Sequence, residues 1–295
     1  MDQRSELGEF LRSRRARTRP EDVGLPAYER RRVPGLRREE LAQLTGISVG
    51  YYTRLEQGHS ANVSDSILDS LAGALRLAPD ERTHLHSLTR PRRKSPTRAA
   101  PEHVRDSVRL LVDSLGDIPA LVLGRSGDVL TWNRLAHALL AGHLPREAPE
   151  RVDNRPNWTR LFFLDPRTRE LFSDWPEKAK DTVADVRLAL GAHPGDSDLA
   201  ELVGELLEKS TEFRALWSEH PVRRCTSHNR EYHHPVVGDL TLSDELLTLP
   251  DDDGQRLVVF NAAPHSPSAA ALTLLAENAQ EQCGQQAVAL LAGGC

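Results

Sequence analysis

The stretch Leu36-Arg37-Arg38-Glu39-Glu40-Leu41-Ala42-Gln43-Leu44-Thr45-Gly46-Ile47-Ser48-Val49-Gly50-Tyr51-Tyr52-Thr53-Arg54-Leu55-Glu56-Gln57-Gly58 decides how the front of this chain folds. Leu41 and the small Ala42 face inward on a first helix, and Gly46 takes the positive φ that a sharp turn requires. Ile47 fills the elbow. Ser48 is placed to N-cap a second helix whose inner stripe is Tyr52 and Leu55. That leaves Val49, Gly50, Thr53 and Arg54 on its outer face.

Working outward, helical periodicity also covers Ser5 to about Thr18, where Leu7, Phe10 and Leu11 form one stripe before Pro20 and Gly24 stop it. A basic loop follows, with Arg30, Arg31 and Arg32 adjacent. Further helices are predicted over Leu36–Thr45, Ser48–Gln57 and Ser64–Leu77, with a fifth starting at Asp80 behind Pro79. Residues 1–89 therefore read as an all-α bundle of five helices. Residues 90–101 hold five basic residues, three prolines and no acid, which suits a linker. Residues 102–295 read as a second domain: a helix from Glu102 to Leu115, a hairpin of Ala120–Leu123 and Val129–Trp132, helices across Asn157–His220, and strands near Arg224–Tyr232, Leu240–Leu249 and Arg256–Asn261. A last helix covers Ser268–Ala279. Two strands, then helices, then three strands is an α+β order with an antiparallel sheet.

Charge separates the two parts. Residues 1–100 carry 19 Lys or Arg against 13 Asp or Glu, whereas the remainder carries 19 against 30. A basic front suits a polyanion such as DNA, and an acidic back half would be repelled by phosphates. The 295 residues are 39% hydrophobic, enough for two cored domains. No run approaches the ~18 uncharged apolar residues of a membrane helix, and the first residues are too polar for a secretory signal. A soluble, cytoplasmic protein without membrane association is expected. Cys225, Cys283 and Cys295 are widely spaced and odd in number, so reduced thiols are expected.

The outer face of the second helix has the size and chemistry to enter a major groove. Arg37 and Arg38, with Arg30, Arg31 and Arg32, are candidate phosphate clamps. Arg54 is best placed for a bidentate guanine contact, with a phosphate or a nearby acid as its competing partners. Val49 suits a thymine methyl, Tyr51 a phosphate, and Tyr52 the core. Gly50 offers no side chain, so DNA shape is expected to contribute.

With these residues in view, the segment resembles the Xre/Cro-type helix-turn-helix repressors: the Leu-Ala pair, the turn glycine followed by a hydrophobic residue and Ser, and the closing Leu-Glu-x-Gly are all present. The basic loop, the run Tyr51–Gly58, Gly127-Asp128-Val129-Leu130-Thr131-Trp132-Asn133, Leu161-Phe162-Phe163-Leu164-Asp165-Pro166 and His234-Pro235 are similar to the MmyB-like actinobacterial regulators. This resemblance implies a PAS-like C-terminal ligand-binding domain and a hydrophobic effector such as a fatty acid. It departs at two places: Gly50 stands where Asp is expected, and Asp244 where an aromatic is expected. The aromatics Trp132, Phe162, Phe163, Phe172, Trp175 and Trp217 are the candidates for lining the apolar cavity, with plain core packing as the competing reading of each.

Other chemistries find no seat. Cys225, His228, His233 and His234 match no closed zinc pattern, and adjacent strand histidines point to opposite faces, so no metal is expected. There is no Gly-rich phosphate loop, nucleophile elbow or partnered carboxylate pair; neither a catalytic residue nor a cofactor is expected. A homodimer is expected, because one short helix reads few base pairs. The alternative is a helix-turn-helix protein that acts through a protein partner, docked on its acidic second domain.

Overall fold

Five helices form the N-terminal bundle, in a computed structural model that describes all residues except 1–2, 27–32, 34, 60–62, 90–100, 194, 223–226, 251, 253 and 293–295. They are α1 (Gln3–Arg17), α2 (Arg38–Thr45), α3 (Val49–Glu56), α4 (Asp65–Ala74) and α5 (Pro79–Thr89). Gly46 sits at φ 72° after α2, and Ser48 caps α3 by accepting the Tyr51 amide at 3.1 Å. Helix α2 begins two residues later than expected. The amide of Leu36 instead bonds the carbonyls of Arg15 and Thr18 at the end of α1, which buries Leu36 fully. Arg30, Arg31 and Arg32, most of the expected linker and Cys225 lie outside the described residues.

Close approach needs glycine at two points. A Cβ on Gly8 would run into the Glu56 carbonyl, and one on Gly35 into the carbonyls of Arg15 and Ala16. With those contacts open, Phe10, Leu11, Leu41, Tyr52, Leu55 and Leu71 pack into one core.

Beyond the bundle come α6 (Asp106–Ser114), the hairpin β1 (Ala120–Leu123) and β2 (Val129–Trp132), and α7 (Arg134–Ala141). Helices α8 (Trp158–Leu164), α9 (Pro166–Glu170), α10 (Trp175–Ala192), α11 (Ser197–Lys209) and α12 (Thr211–Ser218) follow. Strands β3 (Ser227–His234), β4 (Gly238–Thr248) and β5 (Arg256–Asn261) precede α13 (Pro267–Ala292). All five strands form one antiparallel sheet in the order 2-1-5-4-3. Register places Trp132, Leu121, Val258, Phe260, Asp244, Leu242, Leu240 and Tyr232 on one face. On the other face, Ala120, Val122 and Leu257 pack beneath Val108 and Val112 of α6.

Beyond the bundle, three further elements differ from expectation for identifiable reasons. Helix α6 starts at Asp106 because the Glu102 carboxylate accepts the Arg125 amide of the hairpin turn, at 3.2 Å, and the Glu102 carbonyl accepts from Arg155. Helix α7, absent from the periodicity, is short and buried along most of its length. Its start is fixed by Asn133, whose Oδ1 accepts the amides of Ala136 and Ala120 while its Nδ2 donates to the carbonyl of Ile118 at 2.7 Å. Helix α13 runs past Ala279 to Ala292, because no proline interrupts that segment.

The chain folds as two compact units. One comprises residues 1–99, 183–203 and 214–224; the other comprises 100–182, 204–213 and 225–295. Within the first, Arg187 is fully buried: Nη1 meets Glu6 Oε1 at 3.1 Å, Nη2 donates to the Trp217 carbonyl at 2.6 Å, and the guanidinium lies 3.9 Å from the Trp217 ring. Beside it His84 packs edge-on against Phe10 at 5.2 Å. Burial, then the charges of Arg187 and Arg14, push the His84 imidazole down to about 3.

A group held neutral in the native state while its unfolded counterpart takes up protons contributes stability above pH ~6.5 that is lost as pH falls. Between pH 6.5 and pH 5 His84 is expected to cost this unit about 2 kcal/mol. Urea unfolding across that range should show the loss, and His84→Gln should diminish it.

Candidate functional site

The end of α3 is fixed by one buried carboxylate. Glu56 accepts from Arg15 Nε of α1 at 2.6 Å and from Arg38 Nε of α2 at 2.7 Å, and its side chain has no exposure. Arg12 adds a bond from Nη2 to the Glu56 carbonyl at 3.3 Å. Burial alone would raise the Glu56 pKa, but the hydrogen bonds from Arg15 and Arg38 outweigh it and hold the carboxyl below its ordinary range. Tyr52 lies against the same group; burial, then the Glu56 charge, keeps its phenol protonated.

With the inner side of α3 locked, its outer side is presented. Val49 is 39% exposed, Gly50 and Arg54 are exposed, and Tyr51 and Thr53 are half-buried. The Arg54 guanidinium lies 5.9 Å from the Tyr51 ring centre. Thr53 Oγ1 donates back to the Val49 carbonyl. A Cβ on Gly50 would meet nothing within 4 Å, so the helix surface is open at that point. Arg37 is exposed at the start of α2, where its amide donates to Glu40 at 2.8 Å. Arg38 is half-exposed although tied to Glu56. Ser48 is occupied as the cap.

In the second unit the structure brings together four of the six aromatics singled out. Phe162 stacks on Trp175 with centroids 5.3 Å apart and planes 3° from parallel, and Phe163 and Phe172 meet Phe162 edge-on at 5.2 and 5.4 Å. Trp132 lies apart on β2, its indole donating to the Arg146 carbonyl at 2.7 Å. Trp217 belongs to the other unit, against Arg187. Aromatic content marks both as core residues without saying which core each joins. Phe213, Tyr232 and Phe260, not singled out from sequence, extend the nest: Phe163–Phe213 are 5.1 Å apart, Phe172–Tyr232 5.1 Å and Tyr232–Phe260 6.4 Å. Strand alternation was the available signal for Tyr232 and Phe260. His233 and His234 point to opposite sides of β3: His233 is exposed and pairs with Asp239 at 2.5 Å, whereas His234 is buried.

A helical bundle that clamps one short helix so that its outer face is exposed, joined in sequence to an α+β unit with an aromatic nest, is the make-up of a regulator with separate DNA-binding and ligand-binding domains. Comparison with known families agrees with both parts. Residues 6–85 match a helix-turn-helix domain, and residues 104–275 match the MmyB-like transcription regulator ligand binding domain. The chain belongs to the MmyB-like transcription regulators. No curated protein matches it. Among the described residues, no helix is long and apolar enough to cross a membrane.

The Glu56 geometry gives a test of the bundle. Glu56→Gln leaves Arg15 facing a neutral amide in a buried setting, and should destabilise the N-terminal unit by about 3 kcal/mol at pH 7. Because the native carboxyl is held low, its contribution is present above the unfolded value near ~4.3 and fades as pH falls below it. The gap between wild type and variant, followed by denaturant unfolding, should therefore narrow on acidification.

Proposed function

We propose that this chain is a one-component transcription regulator. In this reading α3 enters the major groove of operator DNA, and a small hydrophobic, fatty-acid-like molecule held by the aromatic nest of the PAS-like domain shifts operator affinity. The observation that carries the DNA half is the exposed face of Val49, Gly50, Thr53 and Arg54 on a helix whose opposite side is locked by Glu56. Arg54 reads guanine, with Tyr51 beneath it as support, and Val49 meets a thymine methyl. Arg37 and the outer part of Arg38 hold phosphates, together with Arg30, Arg31 and Arg32, while Ser48 keeps the helix N-terminus turned to the backbone. Gly50 leaves space where a side chain would read a base, which gives weight to DNA shape. A homodimer on two half-sites about one helical turn apart supplies the remaining selectivity.

Phe162, Phe163, Phe172 and Trp175 support the ligand half, since a packed nest of rings offers apolar area to an aliphatic chain. The test is fluorescence polarisation of the full chain on its own upstream DNA against a scrambled duplex, over a salt series, with and without a long-chain fatty acid. Selective binding that the lipid alters supports the whole reading; absence of selective binding under every condition overturns it.

Two variants separate the DNA roles. Arg54→Ala should cost about 1 to 3 kcal/mol on the operator and relax its sequence preference. Arg37→Ala should weaken all duplexes alike and flatten the log K against log salt slope by about one. The same polarisation assay reads both.

A further inference from the structure

The sheet face of the second unit carries a buried ionic cluster that the reading above leaves unused. Arg230 of β3 donates from Nη2 to Asp181 Oδ2 at 2.5 Å and from Nε to Asp244 Oδ2 at 3.4 Å. Lys178, one turn before Asp181 on α10, reaches the same Asp244 oxygen at 3.4 Å. Side-chain exposure is 8% for Arg230, 1% for Asp181 and 4% for Asp244. Two cations and two anions balance, so both guanidinium and ammonium are already engaged.

Two polar atoms are left over. Asp244 Oδ1 and the Tyr232 hydroxyl are buried and have no hydrogen-bond partner among the described residues. Native proteins seldom leave such atoms unpaired, because each forfeits its hydration without replacement. Both lie on the sheet face that carries Phe260, where Asp244 pairs with Phe260 across β4 and β5, and the rings of Phe172 and Phe260 flank Tyr232. Burial, then the charge of Asp244, keeps the Tyr232 phenol protonated, so it can both donate and accept. Asp244 Oδ1 needs a donor, and none of the described residues provides one.

We propose that Asp244 Oδ1 and the Tyr232 hydroxyl form the polar end of the ligand site, and that the ligand ends in a hydrogen-bond donor, a hydroxyl or a protonated amine, rather than in a free carboxylate. The inference rests on the domain's binding of an apolar small molecule, and it narrows the fatty-acid-like ligand to a chain of that kind with a donor head. A hydroxyl or ammonium head donates to Asp244 Oδ1, and the Tyr232 hydroxyl, two cross-strand pairs further along the same face, offers a second polar contact to the ligand. A carboxylate would bring a third anion beside Asp181 and Asp244, with Arg230 and Lys178 already committed.

The test is titration of the full-length protein with decan-1-ol, decylamine and decanoate, followed by intrinsic tryptophan fluorescence, in the wild type, Asp244→Asn and Tyr232→Phe. The alcohol or the amine should bind at least about tenfold more tightly than decanoate, as expected for a hydrogen bond to a charged group. Each variant should shrink that preference, and Tyr232→Phe should do so without lowering the thermal midpoint, since the hydroxyl it removes has no partner among the described residues. Decanoate binding as tightly as the other two, or a preference that survives in both variants, overturns the inference while leaving an apolar ligand standing. If none of the three binds, the apolar-ligand reading fails and the inference falls with it.

Discussion

The buried carboxylate of Glu56 is the constraint on which the N-terminal unit depends. A charge with no exposure must be paired, and here it is paired twice, by guanidiniums from two different helices. Turning α3 about its axis, or sliding it along α1, would leave that carboxylate buried without its donors. Gly8 makes the arrangement possible by allowing α1 to approach the last turn of α3, where Arg12 adds its bond to the Glu56 carbonyl. The outer face of α3 is therefore set by what lies on its inner face. The proposed reading of base edges by α3 depends on that order, since such readout needs side chains held in a fixed orientation.

In the second unit, polar side chains do comparable positioning at the edges of apolar elements. Asn133 joins the loop after α6, the start of β1 and the start of α7. Asn157 caps α8 by accepting the Arg160 amide and donates to the Ser126 carbonyl and to Asp128, tying that helix to the hairpin turn. Each is buried and has its bonds made, in contrast to Asp244 and Tyr232. Asp244 Oδ1 is the carboxylate oxygen left open on the sheet face among the described residues.

Much of the fold was legible because it is local. The hairpin strands and β5 fall where alternation and turn residues put them, and Gly46 and Ser48 take the turn and cap roles their chemistry suits. Helix α7 was missed because eight residues span little more than two turns, too short a run for the spacing of Arg134 and His137 against its buried leucines to stand out. The late start of α6 depended on Glu102 bonding a turn some twenty residues away, which no window of sequence contains.

The sequence by itself determined most of the element types, the antiparallel α+β order and the residues on the exposed side of α3, since all of these follow from spacing within one or two turns. Only the tertiary structure decided which partners the buried charges found: Glu56 with Arg15 and Arg38, Arg187 with Glu6, and Arg230 with Asp181 and Asp244. It also decided that Phe162, Phe163, Phe172 and Trp175 share one nest whereas Trp132 and Trp217 do not. The reason is physical: backbone geometry sets which face a side chain occupies, but a buried charge or ring takes whatever partner the packing of distant segments brings within reach.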